Sequence, residues 1–258
     1  MKRMGILDVD ELTEKLVRGM FLAVPDAQVF LVSGNNERVR KLERELPCWT
    51  LDHYQDVVDE ADVIITGVGR HALNEIANQV QLRSSQTLVS LVPGMGSQSL
   101  RDLFRHADCV RLMLTFAAEI NKSSVILTAA DEEIQDLFSR LGQLTVLPNE
   151  SDFDLATVSL CMNGWFYFFA EGLQCWLAEK GMAVEVARRL VLGGLKDCAE
   201  YAGHNASIAL GELGNDMASS EHLTLQGLEV LAQMQALNPW RAASETVLSA
   251  VRKTTPPQ

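Results

Sequence analysis

The chain has 258 residues, 22 Lys and Arg against 34 Asp and Glu, a net charge of −12 and 47% apolar side chains. The length allows one large or two ordinary domains with a sizeable core, and the composition excludes wholesale disorder or a fibrous repeat. Residues 1–150 carry 15 basic and 22 acidic side chains and residues 151–258 carry 7 and 12, so no basic patch offers itself to nucleic acid or an anionic membrane.

The opening MKRMGILDVDELTEK lacks the apolar run of a signal peptide. Cys48, Cys109, Cys161, Cys175 and Cys198 form no CxxC pair, and the five histidines show no HxxxH or HExxH spacing. These features predict a reduced, cytoplasmic protein with neither a disulfide framework nor a protein-built metal site.

Residues 1–150 alternate strand-length apolar runs with helical patterns. Strands are expected at 29–33 (VFLVS), 63–68 (VIITGV), 87–92 (TLVSLV), 110–114 (VRLML) and 124–128 (SVILT). Helices are expected at 11–22, 37–46, 71–80, 99–106 and 132–141. Strand, helix, strand at this spacing implies a parallel sheet covered on both faces, with ligands bound beyond the carboxyl ends of its strands.

After Pro148-Asn149 the strand pattern stops and helical runs follow at 155–179, 183–201, 224–235 and 240–251, placing a domain boundary near residue 150. The most apolar stretch, 155–170, holds Asn163 and Gly164 and falls about a residue or two short of a membrane span. It predicts a buried helix covered by other helices. Trp165, Phe166, Tyr167, Phe168, Phe169 and Trp176 lie in this region, where core packing is the first expectation for an aromatic cluster. A domain of about 100 residues buries only a limited share of its surface, so part of this helix is expected to pack against a second copy of the chain.

The order of an α/β domain followed by an all-helical one resembles the pyrroline-5-carboxylate reductase family, and local strings carry the resemblance. Residues 4–17 (MGILDVDELTEKLV) look like the family's opening strand, glycine turn and helix, and residues 59–68 (DEADVIITGV) resemble its "ADVVILAV" strand. Residues 90–100 (SLVPGMGSQSL) stand at its "AAG" loop, and residues 110–113 (VRLM) resemble its "VRxMPNTP" segment. Residues 159–173 (SLCMNGWFYFFAEGL) align with "SGSGPAYVFLFIEAL", and residues 223–231 (LTLQGLEVL) with "TTIAGLAVL".

The resemblance implies an α/β, Rossmann-like doubly wound parallel sheet followed by an all-α C-terminal dimerisation domain. NADP or NAD would be the cofactor, and a cyclic imine or related small molecule the substrate. It places cofactor contacts at Asp8, Val9, Asp10, Glu11, Leu12, Ser33, Asn35, Val68, Gly69, Pro93 and Gly94. Substrate contacts fall at Thr115, Asn163 and Thr224, with Thr224 also in the catalytic position.

Several of those positions depart from the family pattern. The GxGxxA loop, whose glycines let the backbone approach a pyrophosphate, reads Asp8, Asp10 and Thr13 here. Two carboxylates about 5 Å apart repel by roughly 3 kcal/mol at an effective dielectric of about 20, and both would face a doubly charged group. The same acids at a helix N-terminus also serve as caps that meet the helix dipole. The "SxR" turn reads Ser33-Gly34-Asn35, which leaves Arg38 or Arg40 to reach a phosphate, or a plain turn. "AVKP" becomes Gly67-Val68-Gly69-Arg70, and Pro93-Gly94-Met95-Gly96-Ser97 opens a helix. "GGTT" becomes Glu221-His222-Leu223-Thr224, where Thr224 is equally an ordinary N-cap. Cys161 and His222 stand near the expected cleft; packing suits the first and a lone polar role the second. Two functions follow: a dimeric NAD(P)H-dependent reductase with a degenerate cofactor loop, or a catalytically inactive dimeric interaction or regulatory protein on the same fold.

Overall fold

The computed structural model describes residues 2–34, 36–220 and 222–254. They fall into two compact units: one runs to Leu160 and is rejoined from Leu248 onward, and the other is Cys161–Val247.

The first unit is built on an eight-stranded sheet. In chain order it contains β1 (Met4–Ile6), α1 (Glu11–Ala23), β2 (Val29–Val32), α2 (Glu37–Glu45), β3 (Trp49–Leu51), α3 (Tyr54–Glu60), β4 (Val63–Thr66) and α4 (Arg70–Ala77). There follow β5 (Thr87–Ser90), α5 (Ser97–Phe104), β6 (Cys109–Met113), a short 3-10 helix (Phe116–Ile120), β7 (Ser123–Thr128), α6 (Glu132–Ser139) and β8 (Gly142–Leu147). The strand order is β3-β2-β1-β4-β5-β6-β7-β8, so the chain reverses direction across the sheet between β1 and β4. At such a switch point the loops after β1 and β4 open a crevice.

Strands β1 to β6 are parallel with their neighbours, but β6 and β7 pair antiparallel and β8 then runs parallel to β7. The expected parallel sheet is thus found, with one antiparallel pair at this point. The link between β6 and β7 spans only residues 114–122, too short for the crossover of a dozen or more residues that a parallel return requires. Alternate strand residues feed two cores. Met4, Ile6, Val63, Ile65, Val110 and Leu112 join the core beneath α1 and α6, and Ile64, Leu88 and Cys109 join the one beneath α3, α4 and α5. Burial on both faces explains why these strands read as continuous apolar runs.

The helical elements that follow are α7 (Asp152–Glu179), α8 (Val184–His204), α9 (Leu210–Ser220), α10 (His222–Gln233) and α11 (Leu237–Thr254). Within the second unit Trp240 packs against Trp165, Phe166 and Phe169, with ring centroids 5.7–6.1 Å apart. The other flank of α7 is bare. Tyr167 is 66% exposed, Phe168 75% and Trp176 56%, so within one chain the buried helix expected here keeps an uncovered aromatic face, as the expectation that part of it packs against a second copy requires. Among the described residues no helix is long and apolar enough to cross a membrane.

Candidate functional site

The turn between β1 and α1 stands at the switch point, and its chemistry is set by a reciprocal cap. Asp10 is the N-cap of α1: its Oδ1 accepts from the Thr13 amide at 2.7 Å and from the Thr13 hydroxyl at 2.8 Å. Thr13 Oγ1 in turn accepts from the Asp10 amide at 2.7 Å. A carboxylate in this position satisfies one of the free amides of the first helical turn and meets the positive end of the helix dipole. Neither Asp8 nor Asp10 has a left-handed backbone angle, so the loop accommodates both without strain.

The cap also closes the space toward β4. A Cβ placed on Gly67 would lie 3.0 Å from Thr13 Cγ2 and 3.6 Å from an Asp10 carboxylate oxygen. Asp10 and Thr13 therefore pack against the bare backbone of the turn after β4. Asp8 precedes them, partly buried. Burial pushes its carboxyl above the usual range, the neighbouring Asp10 adds to that, and a hydrogen bond from the Val9 backbone opposes it. Glu11 and Leu12 open the helix behind the cap.

The turn after β2 is tied to the same loop. Asn36 caps α2 by accepting from the Arg38 amide at 3.0 Å, and its Nδ2 donates to the Val9 carbonyl at 2.8 Å. The Ser33 hydroxyl donates to Asp52 Oδ1 at 2.9 Å, and Asn35 lies outside the described residues. Arg38, one of two arginines expected to reach a phosphate, donates instead to Glu14 Oε2 at 2.7 Å. Glu14 is almost fully buried and also pairs with Arg18 at 2.9 Å and Lys41 at 3.7 Å. Burial works to raise the Glu14 carboxyl, yet these cations hold it below the ordinary range. Arg40 is exposed on α2.

Of the remaining predicted residues, Val68 is buried and Gly69 caps α4 with open space where a Cβ would stand. The Arg70 side chain lies outside the described residues, as do Glu221 and the His222 side chain. Gly94 takes a left-handed φ of 69°, which suits glycine in the turn with Pro93. Thr115 caps the 3-10 helix, and its amide donates to the Ser123 hydroxyl at 2.8 Å. Asn163 is exposed on α7, and Thr224 is exposed inside the first turn of α10, so the N-cap expected for it is not its place. The Cys161 thiol is pushed up by burial, and Cys48 and Cys109 are pushed up to about 12 for the same reason, which keeps all three protonated at neutral pH. The structure thus gathers Asp8, Val9, Asp10, Asn36 and Gly67 around one turn.

A second polar cluster had no counterpart among the predicted residues except Ser97. Glu150 accepts from the Ser97 amide at 3.1 Å, from the Ser97 hydroxyl at 2.8 Å and from Arg111 Nη1 at 2.7 Å. Its signal in the sequence was Arg111 itself, a charge inside the apolar strand CVRLM.

Residues 4–94 match the family model described as NADP oxidoreductase, coenzyme F420-dependent. Over the whole length the fold is that of pyrroline-5-carboxylate reductases. The Plasmodium falciparum pyrroline carboxylate reductase with NADP bound superposes with a TM-score of 0.85 at 18% identity, covering 98% of each chain. The Streptococcus pyogenes 1-pyrroline-5-carboxylate reductase gives 0.84 at 20% identity over 98% of each chain. The Coxiella burnetii enzyme gives 0.84 at 14% identity over 99% of each.

Proposed function

We propose that this chain is a pyrroline-5-carboxylate reductase-like oxidoreductase, directed at NAD(P)H-dependent reduction of a cyclic imine or related small substrate and carrying a cofactor turn that has become a poor cradle. The observation that carries the reading is the full-length agreement in fold with reductases of that type, including one with NADP bound. In this proposal residues 1–150 form the nucleotide-binding-type domain and residues 151–258 the helical dimerisation and substrate domain. Thr115, Asn163 and Thr224 are the polar groups assigned to the substrate, with Thr224 also the assigned catalytic group. All five cysteines are free, which fits the reduced interior of a cell.

As it stands, the turn before α1 does not fit a pyrophosphate in the usual pose. The helix N-terminus that would receive it already holds the Asp10 carboxylate, Asp8 adds a second acid, and Arg38 is engaged by Glu14. Weak cofactor affinity is the consequence, and it sets the test. Oxidation of NADPH by pyrroline-5-carboxylate, followed by loss of the reduced cofactor's absorbance, is expected only at cofactor concentrations far above the micromolar range. Absence of turnover at any concentration would contradict the reductase reading. That result would favour the second reading, a catalytically inactive dimeric interaction or regulatory protein, which the Asp10–Thr13 cap independently supports.

A further inference from the structure

Arg111 stands in the middle of β6 and is only 2% exposed, between Val110 and Leu112 of the apolar core. Its Nη1 donates to Glu150 Oε1, but its Nε and Nη2 are buried with no partner. Those two nitrogens form the side-on edge of the guanidinium, the parallel pair of N–H groups that matches a carboxylate. The Phe153 ring covers one face, its centroid 3.9 Å from Cζ.

Glu150 comes from the loop between β8 and α7, and its side chain remains 29% exposed. Its carboxylate rests on three donors that belong to other elements: the Ser97 amide and hydroxyl at the first turn of α5, and Arg111 on β6. Gly96, the N-cap of α5, has no side chain to fill that end. A backbone amide at a helix N-terminus, a hydroxyl and a buried guanidinium together make a receptor for one carboxylate.

We propose that the N-terminus of α5, with Ser97 and Arg111, is a carboxylate-binding subsite that Glu150 fills in the unliganded chain, and that a small carboxylate ligand enters by displacing the Glu150 side chain. The exchange conserves charge around Arg111, since one carboxylate leaves for water as another arrives. A carboxylate brings the single charge that Glu150 vacates, whereas a phosphate group near pH 7 brings more, which favours the carboxylate.

Thermal melts of the full chain test this, with sodium propionate titrated against sodium chloride at equal ionic strength and sodium phosphate as a separate arm. Glu150→Ala is expected to melt below the unmodified protein and to recover with a saturable dependence on propionate that chloride does not reproduce. The unmodified protein should need at least tenfold more propionate, because Glu150 competes. No saturable recovery, an equal recovery in Arg111→Met/Glu150→Ala, or an equal response to phosphate would each overturn the proposal. If Glu150→Ala does not fold, Glu150→Gln keeps a neutral acceptor at Ser97 and is expected to bind propionate at least tenfold more tightly than the unmodified protein; equal affinity would count against the site. These outcomes do not depend on NADPH binding, so this proposal and the reductase reading fail separately.

Discussion

Two acids flanking Val9 in the turn before α1 have different fates. Asp10 finds three hydrogen bonds with Thr13, whereas Asp8 is partly buried beside Asp10 and its carboxyl is raised above the usual range. An acid with a raised folded-state pKa holds its proton more firmly in the folded chain, so its contribution to stability is lost as pH rises through that value. Asp8→Asn is therefore expected to stabilise the protein at pH 7 by about 1 kcal/mol, the scale of a partly exposed charge interaction. Denaturant melts should show the advantage shrinking as pH falls toward the ordinary aspartate range; a difference independent of pH would contradict it. The cap itself was legible, because an acid at a helix start with Thr13 three residues on is a local pattern. The Arg111–Glu150 pair was not, because its members stand 39 residues apart and only the folded sheet brings them together.

Among the elements, those with long, one-sided or wholly apolar patterns were the readable ones. α1, α2 and α6 begin and end within about two residues of their expected places, as does β4 at its start. The three-residue β3 and the partly exposed β8 gave too little apolar alternation to register, being edge strands. α9 carries Gly211 and Gly214, which weaken a helical pattern. Close approach also escaped the pattern. Gly19 lies where a Cβ would come within 2.0 Å of the Ala118 carbonyl oxygen, so α1 and the 3-10 helix touch backbone to backbone, a contact that periodicity does not report. α7 is the element whose sequence demanded more cover than one chain supplies. Its bare flank and α8 form a groove of about 310 Å³ lined by Tyr167, Phe168 and Leu192, among other residues. Glu171, Gln174 and Arg188 also line it, and exposed aromatics beside polar groups suit an interaction surface, for which the proposed occupant is a second copy. Sedimentation at micromolar concentration is expected to give a dimer, and Phe168→Glu with Tyr167→Glu to shift it to monomer; a monomeric unmodified protein would refute the assignment.

For the molecule as a whole, the α/β sheet followed by helices was readable because each buried strand is an apolar run of its own, and the full-length fold agrees with it. The reversal at β7 was hidden because strand direction depends on connection length rather than on strand composition. Among the departures from the family pattern, most weight in the proposed reading falls on the turn before α1, where an acidic cap occupies the helix N-terminus that would meet a dinucleotide. Glycine at the N-cap costs only a few tenths of a kcal/mol relative to aspartate, so the acids can be removed without unfolding α1. Calorimetric titration of NADPH into the unmodified protein and into Asp8→Gly/Asp10→Gly is the most direct test. The expected result is no micromolar binding by the unmodified protein and clear binding by the double variant. Micromolar binding by the unmodified protein would contradict the account.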